Sequence, residues 1–234
     1  MVDNPVSRGA EPRMTRRTDK KFHDFPRPTV AVDTALLTID PDRGLVVVEL
    51  ARDDTGKWAL PGTFLRERET LAEAVERCLA EKLGVRGVRP QQLWVFDEPD
   101  RDERDWVLSV AHVAVVRPEQ LESLGSGSAA ETRLMPVNRP GELAWDHPKI
   151  VKLAKEHVRA RYETEPDPDR LLGPRFTFSE LQMVHEAVAG EEFSSRFAFR
   201  RAMKDHLIDT DDLNEDTGAR GRPAKLFRRK RDRG

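Results

Sequence analysis

The chain has 234 residues, 35% of them charged, and its 40 lysines and arginines against 42 acidic residues leave it near −2. That length holds one large domain or two modest ones. Mean hydropathy is −0.65 and no apolar run approaches the roughly 18–20 residues a bilayer crossing needs. No apolar segment follows the basic N-terminus to make a secretory signal, and Cys78 has no second cysteine to pair with. The expectation is a cytoplasmic protein without disulfides or membrane contact.

Near-neutrality argues against a uniformly basic nucleic-acid binder, yet the signs are segregated. From Thr217 to Gly234 eight basic residues stand against Asp232 alone, whereas Asp97 to Asp105 holds six acidic residues against Arg101 and Arg104. A basic end on a neutral body points to one part for a polyanion and another for something else.

Residues 1–27 are polar and proline-bearing without sustained period, and read as a disordered arm. Thr29–Ile39 and Gly44–Leu50 are β-branched runs around a turn at Asp40–Gly44, which predicts a hairpin. Thr70-Leu-Ala-Glu73 fits a capping box, and Leu71, Ala74, Val75, Cys78, Leu79 and Leu83 recur at helical spacing until Gly84. Strands are expected at Gln92–Phe96 and Trp106–Val116, and a helix from Pro148 to about Arg161. The proline-rich acidic stretch from Thr164 to Asp169 suits an exposed joint, with a linker running over 164–174. Thr177 to Glu180 offers a second capping box for a helix burying Leu181, Val184 and Val188; Ser194 or Ser195 can cap the next. On that helix Phe199, Ala202, Met203 and Leu207 form an apolar stripe opposite Arg200, Arg201 and Lys204. With a hairpin between Ile208 and Phe227, residues 175–234 make a winged helix-turn-helix. The fold class is α+β, a sandwich over 28–163 followed by that winged domain.

Pro61-Gly62, Glu69, Arg77, Leu79, Glu81, Gly84 and Val85 reproduce much of the Nudix box, G-x5-E-x7-R-E-U-x-E-E-x-G-U. In register, Thr63 replaces the box's glycine, and Cys78 and Lys82 replace two of the three glutamates at its catalytic end. The N-terminal part thus resembles a Nudix α/β/α sandwich. In that family the three glutamate positions hold divalent cations on a pyrophosphate. Mg²⁺ prefers hard oxygen ligands, which a thiol and an ammonium do not supply, so Glu81 would hold metal weakly at most. The bland alternative is an amphipathic helix whose Glu73, Arg77 and Glu81 are solvated i,i+4 pairs. Cys78, on the apolar stripe, reads as a small core residue.

Leu143-Ala-Trp-Asp-His147, Phe176 to Gln182, Phe199-Arg200-Arg201 and Gly221 to Arg228 then make the chain resemble, over about residues 30–230, the Nudix-related transcriptional regulators (NrtR) of bacterial NAD metabolism. The resemblance implies a nucleoid-associated homodimer that binds a palindromic operator as a repressor, and an ADP-ribose-like effector with no required cofactor. Effector contacts are expected from Arg52, Trp58, Gly62, Phe64, Arg77, Glu81 and Lys82, with Trp106 a further stacking candidate. DNA contacts are expected from Arg196, Arg200, Arg201, Lys204, Arg220, Arg222 and Lys225; Phe197-Ala198 and Ala202 depart from the family's pattern. The alternative function is an active hydrolase of ADP-ribose or a similar diphosphate with a DNA-binding appendage.

Overall fold

The computed structural model describes residues 21, 24–52, 56–122, 124, 131–214 and 223–230. Most of the expected arm, as well as Arg220, Arg222 and the end of the basic tail, lies outside them. No described helix is long and apolar enough to cross a membrane.

β1 (Thr29–Asp40) and β2 (Gly44–Ala51) form the predicted hairpin. β3 (Trp58–Ala59) and β4 (Gly62–Phe64) are short, and α1 (Leu71–Leu83) carries the Thr70 capping box and a left-handed Gly84. β5 (Gln91–Phe96), β6 (Val107–Val115), β7 (Thr132–Pro136) and α2 (His147–Thr164) complete the first part. The sheet runs β3-β2-β1-β6-β5, with β4 on β1 and β7 on β2. β1 pairs with β6 in parallel, and the other ladders are antiparallel.

Strand alternation decides which helix each residue meets. Val32, Leu36, Val48 and Leu50 bury against Val75 and Leu79 of α1. Ala35, Leu37, Leu45 and Val47 face the other way, onto Ile150, Val151 and Val158 of α2.

The second part contains β8 (Phe176–Thr177), α3 (Phe178–Ala189), α4 (Arg196–Met203), a 3-10 turn at Lys204–His206, β9 (Leu207–Asn214) and β10 (Ala224–Arg229). Its core is small: Phe176, Leu181, Phe199, Met203 and Leu207, with Phe178 and Phe227 packed against them. Ala202, expected in the apolar stripe, is exposed. α4 has only two turns, and the residues its core takes lie at Phe199 and Met203, an i,i+4 pair.

The predicted α3 buries Leu181, Val184 and Val188 as expected, but it is not confined to the second part. Val184 and Val188 pack in the core of the first part and Leu181 in that of the second, so α3 serves both. At Gly44 (φ +70), a β-carbon would meet the Ala187 carbonyl, so the β1–β2 turn abuts α3 as only glycine allows. The acidic joint is likewise not an exposed tether. Pro166 and Asp167 are buried. The Asp167 carboxylate accepts from Leu171 N (2.7 Å), Leu172 N (2.9 Å) and Arg229 Nη1 (2.6 Å), while its backbone N donates to His185 Nε2 (3.3 Å). Composition marks such a stretch as solvent-seeking, but a buried carboxylate is stable where donors converge on it.

Candidate functional site

At one end of the first sheet a cavity of about 230 Å³ opens beside β4, lined by Arg52, Gly62, Phe64, Lys82, Arg101, Arg104 and Trp145, with Asp33 at its base. Of the effector residues expected from sequence, Arg52, Gly62, Phe64 and Lys82 meet there. Trp58, Arg77 and Glu81 are not among the lining residues.

Each displaced residue has a partner of its own. Trp58 carries the Arg133 guanidinium 3.8 Å over its ring, and Arg133 in turn pairs with the buried Glu49 at 2.7 Å. Arg77 forks onto Glu69 through Nε (2.7 Å) and Nη2 (2.8 Å) and donates also to Thr63 and to the Phe64 carbonyl. It is a positioning residue that ties the β4 loop to α1. Glu81 faces Arg66 (3.5 Å) and Arg77 (3.6 Å), half exposed. Trp106 is also outside the lining; its carbonyl receives Thr29 N.

The Arg77 fork, helped by Arg66 N–H, holds Glu69 at a pKa of about 2, below the 4.5 of a free glutamate. A depressed carboxylate contributes stability that is present above the unfolded pKa and lost as pH falls through the folded one. The parent chain should therefore lose stability between about pH 4.5 and 2 in part through this pair, and Glu69→Gln should flatten that part of the curve. Melting temperatures at pH 5, 4, 3 and 2 test it; parallel curves for parent and variant would reject the assignment.

Lys82 Nζ donates to the Gly62 carbonyl at 2.5 Å, so its cation sits at the pocket wall. Gly62 is required where it is: a β-carbon would overlap the Asp33 carboxylate. Burial opposes charge on Asp33, yet His147, the Ser109 hydroxyl and Arg101 together bring its pKa below the usual aspartate value. His147 Nδ1 accepts from Leu60 N (2.9 Å), which leaves Nε2 facing Asp33 Oδ1 at 3.4 Å. Cys78 is buried in the α1 stripe, and burial pushes its thiol up to about 11. Among the described residues no group of three or more His, Cys, Asp and Glu side chains is placed to hold a metal ion. The divalent cation that the Nudix resemblance implies does not fit the donors present: a buried neutral thiol and an ammonium stand beside a single Glu81.

Sequence reasoning missed the most distinctive wall. Two guanidinium groups stand over the Trp145 ring, Arg52 at 4.5 Å and Arg104 at 5.0 Å from its centroid. It is held at φ +50, a region that costs a bulky residue on the order of 1–3 kcal/mol. The signal was available, because the Leu143–His147 run contains it, but nothing in the run says which side chain reaches the pocket. Arg101 and Arg104 were read only as interruptions in an acidic stretch. Arg101 joins Asp146 (3.1 Å) and Asp33 (3.7 Å), and Arg104 forks onto Asp102. An aromatic ring flanked by cations, beside a lysine and an open mouth, is suited to a ligand with a flat group and negative charge.

The second surface is α4. Arg196, Arg200 and Arg201 are exposed on it and Lys204 on the turn that follows, with Ser195 as N-cap. Arg200 lies over the Phe178 ring at 5.0 Å, which fixes its stem. Lys225 pairs with Asp209 across the β9–β10 hairpin at 2.6 Å, so it enters the wing already paired. Arg229, one of the basic residues near the C-terminal end, is committed to Asp167.

Residues 28–154 match the NUDIX domain family, and residues 169–229 match the NrtR DNA-binding winged helix domain. An ADPR responsive transcriptional repressor, NtrR, of Acinetobacter baylyi is 26% identical over 211 residues, covering 88% of this chain and 83% of that protein. Shewanella oneidensis NrtR, solved with a 27mer DNA, is 31% identical with a TM-score of 0.69, covering 86% of this chain and 93% of the other. Its NUDIX domain, solved with ADP ribose, covers 60% of this chain and 95% of its own, at 28% identity and a TM-score of 0.50. An ADP-ribose pyrophosphatase of Methanocaldococcus jannaschii is 33% identical over 138 residues, 58% of this chain and 79% of that protein. With a NUDIX domain over more than half its length and an NrtR winged helix domain behind it, this chain belongs to the Nudix family and, within it, to the NrtR regulators.

Proposed function

We propose that the protein is a ligand-responsive transcriptional repressor of NAD metabolism genes whose NUDIX part senses ADP-ribose and whose winged part binds operator DNA. The observation that carries this reading is the pairing, in one chain, of a cationic pocket around Trp145 with an exposed basic α4. Arg52 and Lys82 suit a diphosphate, and Trp145 or Phe64 suits the flat base. Arg196, Arg201 and Lys204 suit phosphates or guanine edges of a major groove. In this reading residues 28–163 sense, residues 175–234 bind, and two copies present their α4 helices to a palindrome roughly 34 Å apart. ADP-ribose is an effector, and no cofactor is required.

The test is operator affinity of the full chain by fluorescence anisotropy, with and without ADP-ribose. Arg201→Ala should weaken operator binding at every ligand concentration, with a salt slope smaller by about one unit. Trp145→Ala should leave unliganded operator affinity intact and shift the ADP-ribose response to about tenfold higher concentration, the loss of one stacked base. An unshifted response would place the effector elsewhere.

The second reading, an ADP-ribose hydrolase, is favoured by the likeness to the Methanocaldococcus enzyme. Against it stand the buried Cys78 and the engaged Lys82 at metal-ligand positions. Turnover of ADP-ribose with Mg²⁺ or Mn²⁺ should stay well below about 1 s⁻¹, the lower end of ordinary enzymes.

A further inference from the structure

A second concentration of positive charge lies far from the Trp145 pocket, where the two parts of the chain join. A cleft of about 320 Å³ is lined by Arg89 from the loop after α1, Arg117 from the end of β6, Arg161 from α2 and Arg170 from the joint. Asp169 is the one carboxylate among its lining residues, and it is committed to Arg161 at 2.7 Å. Arg117 Nε donates to the Arg170 carbonyl at 2.8 Å. Among the described residues, Arg89, Arg117 and Arg170 have no carboxylate partner within ion-pair distance. Arg170 is held at φ +57, so the joint is kept in an unfavourable backbone shape that sets its side chain beside the others. An adjoining cavity shares Arg89, Arg161 and Arg170 and continues with Arg228, Lys230 and the Asp167-paired Arg229, past Glu165 and Asp205.

Like charges gathered from four segments repel one another, and the fold bears that cost. Arg229 feels it directly: burial lowers its pKa, Asp167 raises it, and Arg170 and Arg117 lower it further. A bound anion would relieve the repulsion, and forked guanidinium groups match phosphate oxygens in particular.

We propose that this arginine cleft is a second anion site of the protein, which takes a small phosphate-bearing ligand and clamps the sandwich to the joint. The phosphate of a DNA backbone shares the same chemistry, but position favours the small ligand. The β9–β10 ladder runs from Asn214–Ala224 at the wing tip to Leu207–Arg229 at its base, and the adjoining cavity meets it at the base, with the cleft beyond. Five or more residues at about 3.3 Å each separate it from the tip that would meet a duplex. The inference does not depend on ADP-ribose being the effector.

The experiment is a thermal-shift titration of the full chain with inorganic pyrophosphate at constant ionic strength, repeated on Arg89→Gln/Arg117→Gln/Arg170→Gln and on Arg52→Gln/Lys82→Gln, which removes the two first-pocket cations suited to a diphosphate. Pyrophosphate should still stabilise Arg52→Gln/Lys82→Gln, with an apparent Kd about tenfold higher for each charge-assisted contact the triple variant loses. Equal stabilisation of parent and triple variant would overturn the proposal, as would loss of the effect in Arg52→Gln/Lys82→Gln. If the triple variant lost operator affinity while keeping its response to pyrophosphate, the cleft would be a DNA-backbone contact and the proposal would also fall. Arg89→Gln alone, at an exposed loop position, keeps the test open if the triple variant does not fold.

Discussion

Asp167→Ala is expected to lower the stability of the full chain by about 3–5 kcal/mol, the cost of stranding a partly buried cation and removing a buried acceptor at once. Asp167 is fully buried, and its carboxylate serves Arg229 of β10 and two successive backbone N–H groups of the joint. Burial pushes its pKa up from the usual aspartate value while those donors pull it down. Its backbone adds to the effect, because φ is +49 and aspartate tolerates that region better than alanine. Arg229→Met should cost clearly less, since Asp167 would keep both amide donors. Urea unfolding of the three proteins measures the difference. A loss below about 1 kcal/mol for Asp167→Ala would mean that the joint is the exposed tether its composition resembles.

Acid should loosen the same joint through His185. The imidazole is buried between Tyr162 and Phe199, each with its ring centroid 5.0 Å away, and its Nε2 accepts from Asp167 N. Burial lowers its pKa from 6.5 to about 4. A group whose folded pKa is depressed contributes stability that is full above its unfolded value and disappears as pH falls through the folded one. The window is therefore pH 6.5 to about 4, and the loss across it is about 3 kcal/mol. The cause is burial: protonation would place a charge in the dry site between Tyr162 and Phe199. His185→Gln keeps an acceptor there and does not titrate. Between pH 7 and 4 it should lose about 3 kcal/mol less than the parent, and equal losses in the two proteins would remove His185 as the cause.

Much of this protein follows from local sequence, because the relevant physics is local. The capping boxes at Thr70 and Thr177, the glycine that ends α1, the β1–β2 hairpin and the exposed arginines of α4 depend on residues within a few positions of one another. The box register puts Cys78 and Lys82 on α1; Cys78 is in the core, as read, and Lys82 lines the pocket. Partners distant in sequence were another matter. The box register cannot show that Arg77 forks onto Glu69, nor the Leu143–His147 run that Arg52 and Arg104 both come over the Trp145 ring. The joint is the strongest case. Proline and acid in a row favour water when nothing else is near, so composition read Thr164–Asp169 as exposed. Tertiary structure brought Arg229, from 62 residues away, within 2.6 Å of Asp167 and His185 onto its backbone. A carboxylate is driven outward by its desolvation cost alone, and only the assembled fold decides whether enough donors converge to hold it inside.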